Sequence, residues 1–149
     1  MIVYVDADSC PVIKEIISIS KNYKLKVILV KDYNHTFNIN EENVDIVTIE
    51  QGNDSADLYI LSKLSKNDIL ITNDMGLASI ALSKNSYVLN FYGKEINNFN
   101  IDQLLFERHI NKVNRRNNIY SSKFKKRVTN DNLNFKNNLI KLIKTATSK

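Results

Sequence analysis

Tryptophan is absent from the 149 residues, cysteine and proline occur once each, and glycine occurs three times. A single cysteine excludes an internal disulfide framework. So little glycine and proline excludes a fibrous or linker-rich chain. The longest apolar runs, such as Val27-Ile28-Leu29-Val30, fall far short of the ~20 residues needed to span a bilayer. With no secretory leader, the lone thiol suits a reducing cytosol, the expected location. The length suits one domain of roughly 100–150 residues, long enough to bury a core without staples. No internal repeat is present. The abundant Asn and Lys are read as nucleotide-composition bias, not as function.

Arginine is missing from the first 100 residues, where 13 Asp and Glu outweigh 9 Lys for a net charge of −4. The last 49 residues carry 12 Lys and Arg against 3 acids, a net of +9. No acid occurs between Arg108 and Asn130. Such asymmetry points to an anionic partner, nucleic acid before membrane, unless it is only a solvated helix face.

Strand and helix signals alternate. Met1–Val5 is a β-rich run ending in Asp6, and Ser9-Cys10-Pro11 reads as a helix start ahead of an apolar face of Val12, Ile13, Ile16, Ile17 and Ile19. Strands are expected at Leu25–Val30, Val44–Ile49, Ile69–Thr72 and Tyr87–Asn90, with a loop over 31–43. Gln51–Ser55 is a turn feeding a helix over Ala56–Leu64, and Asn73-Asp74 starts another through Ser83. Helices near 101–113 and 130–146 follow, separated by a polar, basic stretch over 114–128. Thr129, Asn130 and Asp131 can each cap the last helix. Near-continuous apolar strands alternating with helices mean an α/β fold. Its central sheet is mainly parallel, with helices on both faces and a basic helical C-terminal part.

Ligands of open parallel sheets bind outside the carboxyl ends of the strands. Three turns there are acidic: Asp6-Ala7-Asp8, Asp54-Ser55-Ala56-Asp57 and Asn73-Asp74. Crowded carboxylates raise one another's pKa unless a cation neutralises them, and all-oxygen donors suit Mg²⁺ or Mn²⁺. Such ions activate water and steady a phosphodiester and its leaving oxygen. In this reading Asp6, Asp54 and Asp74 are metal ligands, and Asp57 is a ligand or a partner of one. Asp8 steadies a water or acts as general base. Asp54 and Asp74 equally suit ordinary helix N-caps. Asp6 does not, since it ends a strand well before the next helix.

Thr72 and Asn73 can bind phosphate or serve the turn alone. Cys10 has no obvious base beside it and suits a small core residue. His35 and His109 lack metal-ligand spacing, and no phosphate-cradling glycine loop or dinucleotide fingerprint is present. Arg108, Lys112, Arg115, Arg116, Lys123, Lys125, Lys126 and Arg127 can follow a phosphate backbone; the interleaved Tyr120 and Phe124 can stack on bases, and Phe124 can equally anchor the segment to the core.

Val5-Asp6-Ala7-Asp8-Ser9-Cys10-Pro11-Val12 resembles the opening signature of the YaiI/YqxD family of bacterial proteins. Gly52-Asn53-Asp54-Ser55-Ala56-Asp57 is similar to that family's G-x-D-x-A-D, and Thr72–Ala78 to its T-x-D-x-P-L-A. Asn90, Gly93, Asn100-Ile101, Leu105 and Arg108 follow in the family's order, so the resemblance covers nearly the whole chain. It implies a single PIN-like domain, with an α/β core over 1–92 and a basic helical segment over 93–149 packed on it. Many PIN-like proteins are Mg²⁺- or Mn²⁺-dependent ribonucleases with clustered Asp, which implies Asp6, Asp54 or Asp57, and Asp74. Four positions depart from the pattern. Gly76 replaces a proline and is expected to loosen the turn after Asp74. Asn117-Asn118 replaces a glycine pair, and Asn132 replaces an arginine.

The leading expectation is therefore a metal-dependent nuclease acting on RNA. A haloacid-dehalogenase-type phosphatase would use Asp6 as nucleophile and Asp8 as acid, through a phospho-aspartyl intermediate, but no lysine stands at the required strand end. A non-catalytic nucleic-acid-binding module would need only the basic residues.

Overall fold

A computed structural model of the chain describes residues 1–32, 36–50, 55–117 and 126–148. His35, Asp54, Tyr120, Lys123, Phe124 and Lys125 lie outside the described residues. In chain order the elements are β1 (Ile2–Asp6), α1 (Ile13–Asn22), β2 (Lys26–Asp32), β3 (Val44–Ile49), α2 (Ser55–Lys63) and β4 (Ile69–Ile71). There follow α3 (Met75–Ser83), β5 (Tyr87–Leu89), β6 (Glu95–Ile96), α4 (Ile101–Arg116) and α5 (Thr129–Thr147).

The strands form one sheet in the order β3-β2-β1-β4-β5-β6, parallel except for β6, which runs antiparallel to β5. Chain order reverses between β1 and β4. That reversal is the switch point at which doubly wound sheets open a crevice for ligands. Val5 stands opposite Leu29 on one side and Ile71 on the other, so Asp6 and Thr72 emerge together at the carboxyl edge.

The period-2 alternation of the strands builds two cores. Val3, Val5, Leu29, Ile69 and Ile71 face one side, packed with Ile16 of α1 and with Phe135, Leu139 and Ile143 of α5. Tyr4, Val30, Leu70 and Val88 face the other, with Ile60 of α2, Leu77 and Ala81 of α3, and Ile101 of α4. Each of these larger side chains contributes roughly 1.5–3 kcal/mol through its burial. Gly93, at φ +86°, lets the β5–β6 turn lie against α5, for a Cβ there would stand 2.8 Å from the Phe135 Cα. No helix among the described residues is long and apolar enough to cross a membrane.

Four boundaries differ from expectation. Helix α1 begins at Ile13, not near Pro11, because Cys10 N–H turns back to the Ala7 carbonyl. Strand β2 runs two residues into the expected loop, since Lys31 and Asp32 pair with Thr48 and Ile49 of β3. Helix α4 continues to Arg116, with no glycine or proline to stop it. The short β6 was not expected at all.

Candidate active site

The carboxyl edge at the switch point collects Asp6, Thr72 and Asp74 through the shortness of β4. That strand ends at Ile71, which leaves Thr72 beside the last residue of β1. Thr72 is fully buried, and its hydroxyl donates to Asp6 Oδ2 at 2.9 Å. The same hydroxyl accepts the Asp74 N–H at 2.9 Å. One side chain therefore orients a carboxylate on β1 and fixes the backbone that carries the next.

Asp74 is the N-cap of α3, and its Oδ1 accepts the N–H groups of Gly76 at 2.9 Å and Leu77 at 3.2 Å. This bears out the cap expected from sequence. Gly76, where the family pattern has proline, keeps an N–H and donates it to the cap. Capping consumes only one oxygen. Asp74 Oδ2 and Asp6 Oδ1 accept no hydrogen bond from any described residue.

Burial raises the Asp6 pKa above its ordinary value, the Thr72 hydrogen bond works against that rise, and the charges of Asp74 and Asp8 add to it. The pair thus offers two outward oxygens and a shared need for a counter-charge. That chemistry fits a hard divalent cation. Among the described residues no three His, Cys, Asp or Glu side chains gather closely enough to hold an ion by themselves. The expected further ligand, Asp54, lies outside them, and Asp57 follows it in the first turn of α2.

Asp8 is turned toward β2, where its carboxylate accepts the Asp32 N–H at 2.9 Å and 3.2 Å. It ties the β1 turn to the neighbouring strand while still adding its charge at Asp6. Asn73 accepts the Phe91 N–H at 2.8 Å and so serves the turn. Burial pushes the Cys10 thiol up to about 12, which keeps it protonated and unreactive.

The basic residues divide. Arg108 of α4 reaches the acidic edge, with Nη1 3.9 Å from Asp74 Oδ1. Lys112, Arg115 and Arg116 follow on the same helix, all exposed. Arg127 instead folds inward. Its Nη2 donates to the Phe91 carbonyl and its Nε to Asn132 Oδ1, both at 2.7 Å, and its guanidinium stacks on Tyr92 at 4.8 Å. It clamps the start of α5 to the end of β5, and Asn132, where the family pattern has arginine, is one jaw of that clamp. Lys126 is exposed beside it. Sequence reasoning passed over Lys31, which is only 8% exposed near the end of β2. The signal was a lysine inside an otherwise apolar strand.

Fold and site together define a doubly wound α/β protein with carboxylates at the switch point of its sheet. The chain belongs to the YaiI/YqxD family, described as uncharacterised BCR, whose model matches residues 4–145. It is 43% identical over 143 residues to a UPF0178 protein of Natranaerobius thermophilus, covering 96% of each chain. A UPF0178 protein of Lachnoclostridium phytofermentans is 38% identical over 151 residues, covering 99% of this chain and all of the other. One from Alkaliphilus oremlandii is 39% identical over 140 residues, covering 94% of this chain and 89% of the other. No solved structure matches the chain.

Proposed function

We propose that this protein is a PIN-like, Mg²⁺- or Mn²⁺-dependent nuclease that hydrolyses RNA phosphodiesters at its carboxyl edge. The observation that supports this most is the Asp6–Thr72–Asp74 constellation. The buried Thr72 hydroxyl donates to the Asp6 carboxylate and accepts the backbone N–H of Asp74, and among the described residues each of the two carboxylates keeps one oxygen without a hydrogen bond. Such an arrangement lowers stability in the absence of a cation, and a protein with no use for one would have little reason to keep it.

Asp6 and Asp74 would hold the ion, with Asp54, which lies outside the described residues, as the further ligand, since Asp57 does not gather with the pair. The bound ion would supply Lewis-acid stabilisation of a phosphoryl group and its leaving oxygen. Thr72 holds Asp6 in one rotamer, so the free Oδ1 needs no reorganisation on binding. Asp8 spends its charge on the Asp32 amide, which suits orienting the β1 turn better than relaying a proton. That same engagement weighs against the phosphatase alternative, where Asp8 would have to be a free acid.

The test is Mn²⁺ calorimetry on the wild type and on the Asp6→Asn and Asp74→Asn variants, followed by cleavage of a labelled RNA. Saturable binding lost in both variants, with loss of cleavage, is the expected result. Equal heats in all three proteins would remove the metal site and the nuclease reading with it.

A further inference from the structure

Helix α4 changes character along one face. Ile101, Leu104 and Leu105 pack against the second core, on α3. Residues three, four, seven and eight apart share a helix face. Arg108 therefore continues that inward face, and its approach to Asp74 places it there. Lys112, Arg115 and Arg116 stand four, seven and eight residues further on and continue the same side. The face that is apolar over the core turns basic where the core ends.

The direction of the helix follows from the strand before it. β6 turns the chain back antiparallel to β5, and α4 then packs on α3 and brings Arg108 to Asp74 at the start of α3, so α4 runs toward the acidic edge. Its eighth residue, Arg108, is level with the acidic edge. The remaining eight carry it about 12 Å beyond, at 1.5 Å per residue. Among the described residues Lys112, Arg115 and Arg116 make no ion pair with a carboxylate. Arg115 donates only to the Asn111 carbonyl, from Nε at 3.4 Å. The overhang is thus a row of exposed cations without an ion pair among the described residues, leading on from the acidic edge.

We infer that the overhanging basic face of α4 is a guide for one strand of nucleic acid, with Arg108 receiving the phosphate nearest Asp6 and Asp74 and Lys112, Arg115 and Arg116 holding the phosphates that follow. As a substrate guide it rests on the nuclease reading above. The argument for the occupant is charge complementarity joined to position. The cations start at the carboxylates and lead away in a single line, which matches one backbone. A duplex presents two backbones on a rigid, wider cylinder, whereas a single row of cations offers partners to one. Arg108 is largely exposed and approaches Asp74 at 3.9 Å without a hydrogen bond, so its guanidinium can turn to an incoming phosphate.

The experiment is fluorescence anisotropy of a labelled 12-nucleotide oligouridylate in EDTA, across a salt series. It compares the wild type, the K112Q/R115Q/R116Q variant and a K136Q/K141Q/K144Q control that removes equal charge from exposed positions of α5. The α4 variant should bind about tenfold or more weakly, and its log–log salt slope should flatten by about 2, close to 0.7 for each phosphate no longer neutralised. The control should keep most of the affinity and slope. Equal loss in both variants reduces the effect to net charge and overturns the guide. So does unchanged binding in the α4 variant, or equally tight and equally sensitive binding of a duplex or an anionic vesicle. Mn²⁺ calorimetry on the same proteins separates the two readings. If no protein binds the ion while strand binding still depends on α4, the nuclease reading falls and the strand site stands.

Discussion

The two ends of the sheet use the same side chain in opposite ways. At the amino end Asp68, just before β4, is buried, and both its oxygens are taken. Oδ1 accepts the Ile2 N–H at 2.9 Å and Oδ2 accepts the Ser65 N–H at 2.9 Å. It fastens β1 to β4 at their starts. At the carboxyl end Asp6 and Asp74 each have one oxygen engaged and one that accepts no hydrogen bond from any described residue. A carboxylate with both oxygens engaged is a structural fastener, whereas one half engaged is available for a ligand. Position alone does not decide the role, for Asp8, also at the carboxyl edge, has both oxygens turned to the Asp32 N–H and fastens the β1 turn to β2.

The largest contrast comes from removing the free carboxylates. The double variant Asp6→Asn, Asp74→Asn should lose RNA cleavage by about 100-fold or more, yet melt at or above the wild-type temperature in metal-free buffer. A sharp fall in melting temperature would mean that the carboxyl edge is structural after all. Asp68→Ala should do the reverse. It strands two amide donors, so stability should drop by about 2–3 kcal/mol in urea unfolding while Mn²⁺ affinity is unchanged.

Thr72→Val tests the link between the two carboxylates. It keeps the volume and removes both hydrogen bonds, and Mn²⁺ affinity by calorimetry should weaken by about 10- to 100-fold. An unaltered affinity would show that Asp6 needs no positioning.

A smaller effect is set by pH. Burial, with the charges of Asp74 and Asp8, holds the Asp6 pKa above 3.8 in the folded chain, despite the Thr72 bond. The folded state then keeps its proton to higher pH than the unfolded state does. Stability attributable to Asp6 falls as pH rises from the unfolded value through the raised one. Asp6→Asn removes that loss. Its gain in melting temperature over the wild type should be largest above the raised pKa and vanish as pH drops toward 3.8. Metal-free melts at a series of pH values would show this, and a gain that grows on acidification would contradict it. The smallest signal is at Cys10. With its pKa at about 12, alkylation at pH 8 should be slow until the chain unfolds.

Much of this was legible in the sequence because strong local signals and tertiary demands agree. The apolar runs at Val3–Val5, Val27–Val30 and Ile69–Ile71 have no polar face, and only a two-sided parallel sheet buries them so. Asp6 and Asp74 punctuate strand ends, and the switch-point rule brings them together once the strand order is known. What could not be read depends on distant partners or on elements too short for a period. β6 has two residues and no alternation to detect. The end of β2 carries Lys31 and Asp32, charges that suggest a loop but that pair with β3. Arg127 looked like one more phosphate ligand until Phe91, 36 residues away, was found to hold it. The turn from apolar to basic on α4 has meaning only after Arg108 is seen beside Asp74.

The brief reversal at β6 reaches further than its two residues suggest. A chain that left β5 without doubling back would start α4 at the opposite pole of the molecule. Its cations would then lead away from Asp6 and Asp74, toward the amino end of the sheet. The hairpin therefore sets the sign of the field at the mouth of the crevice. Its length is a topological dial, and changing it would separate the two charges without altering a single charged residue.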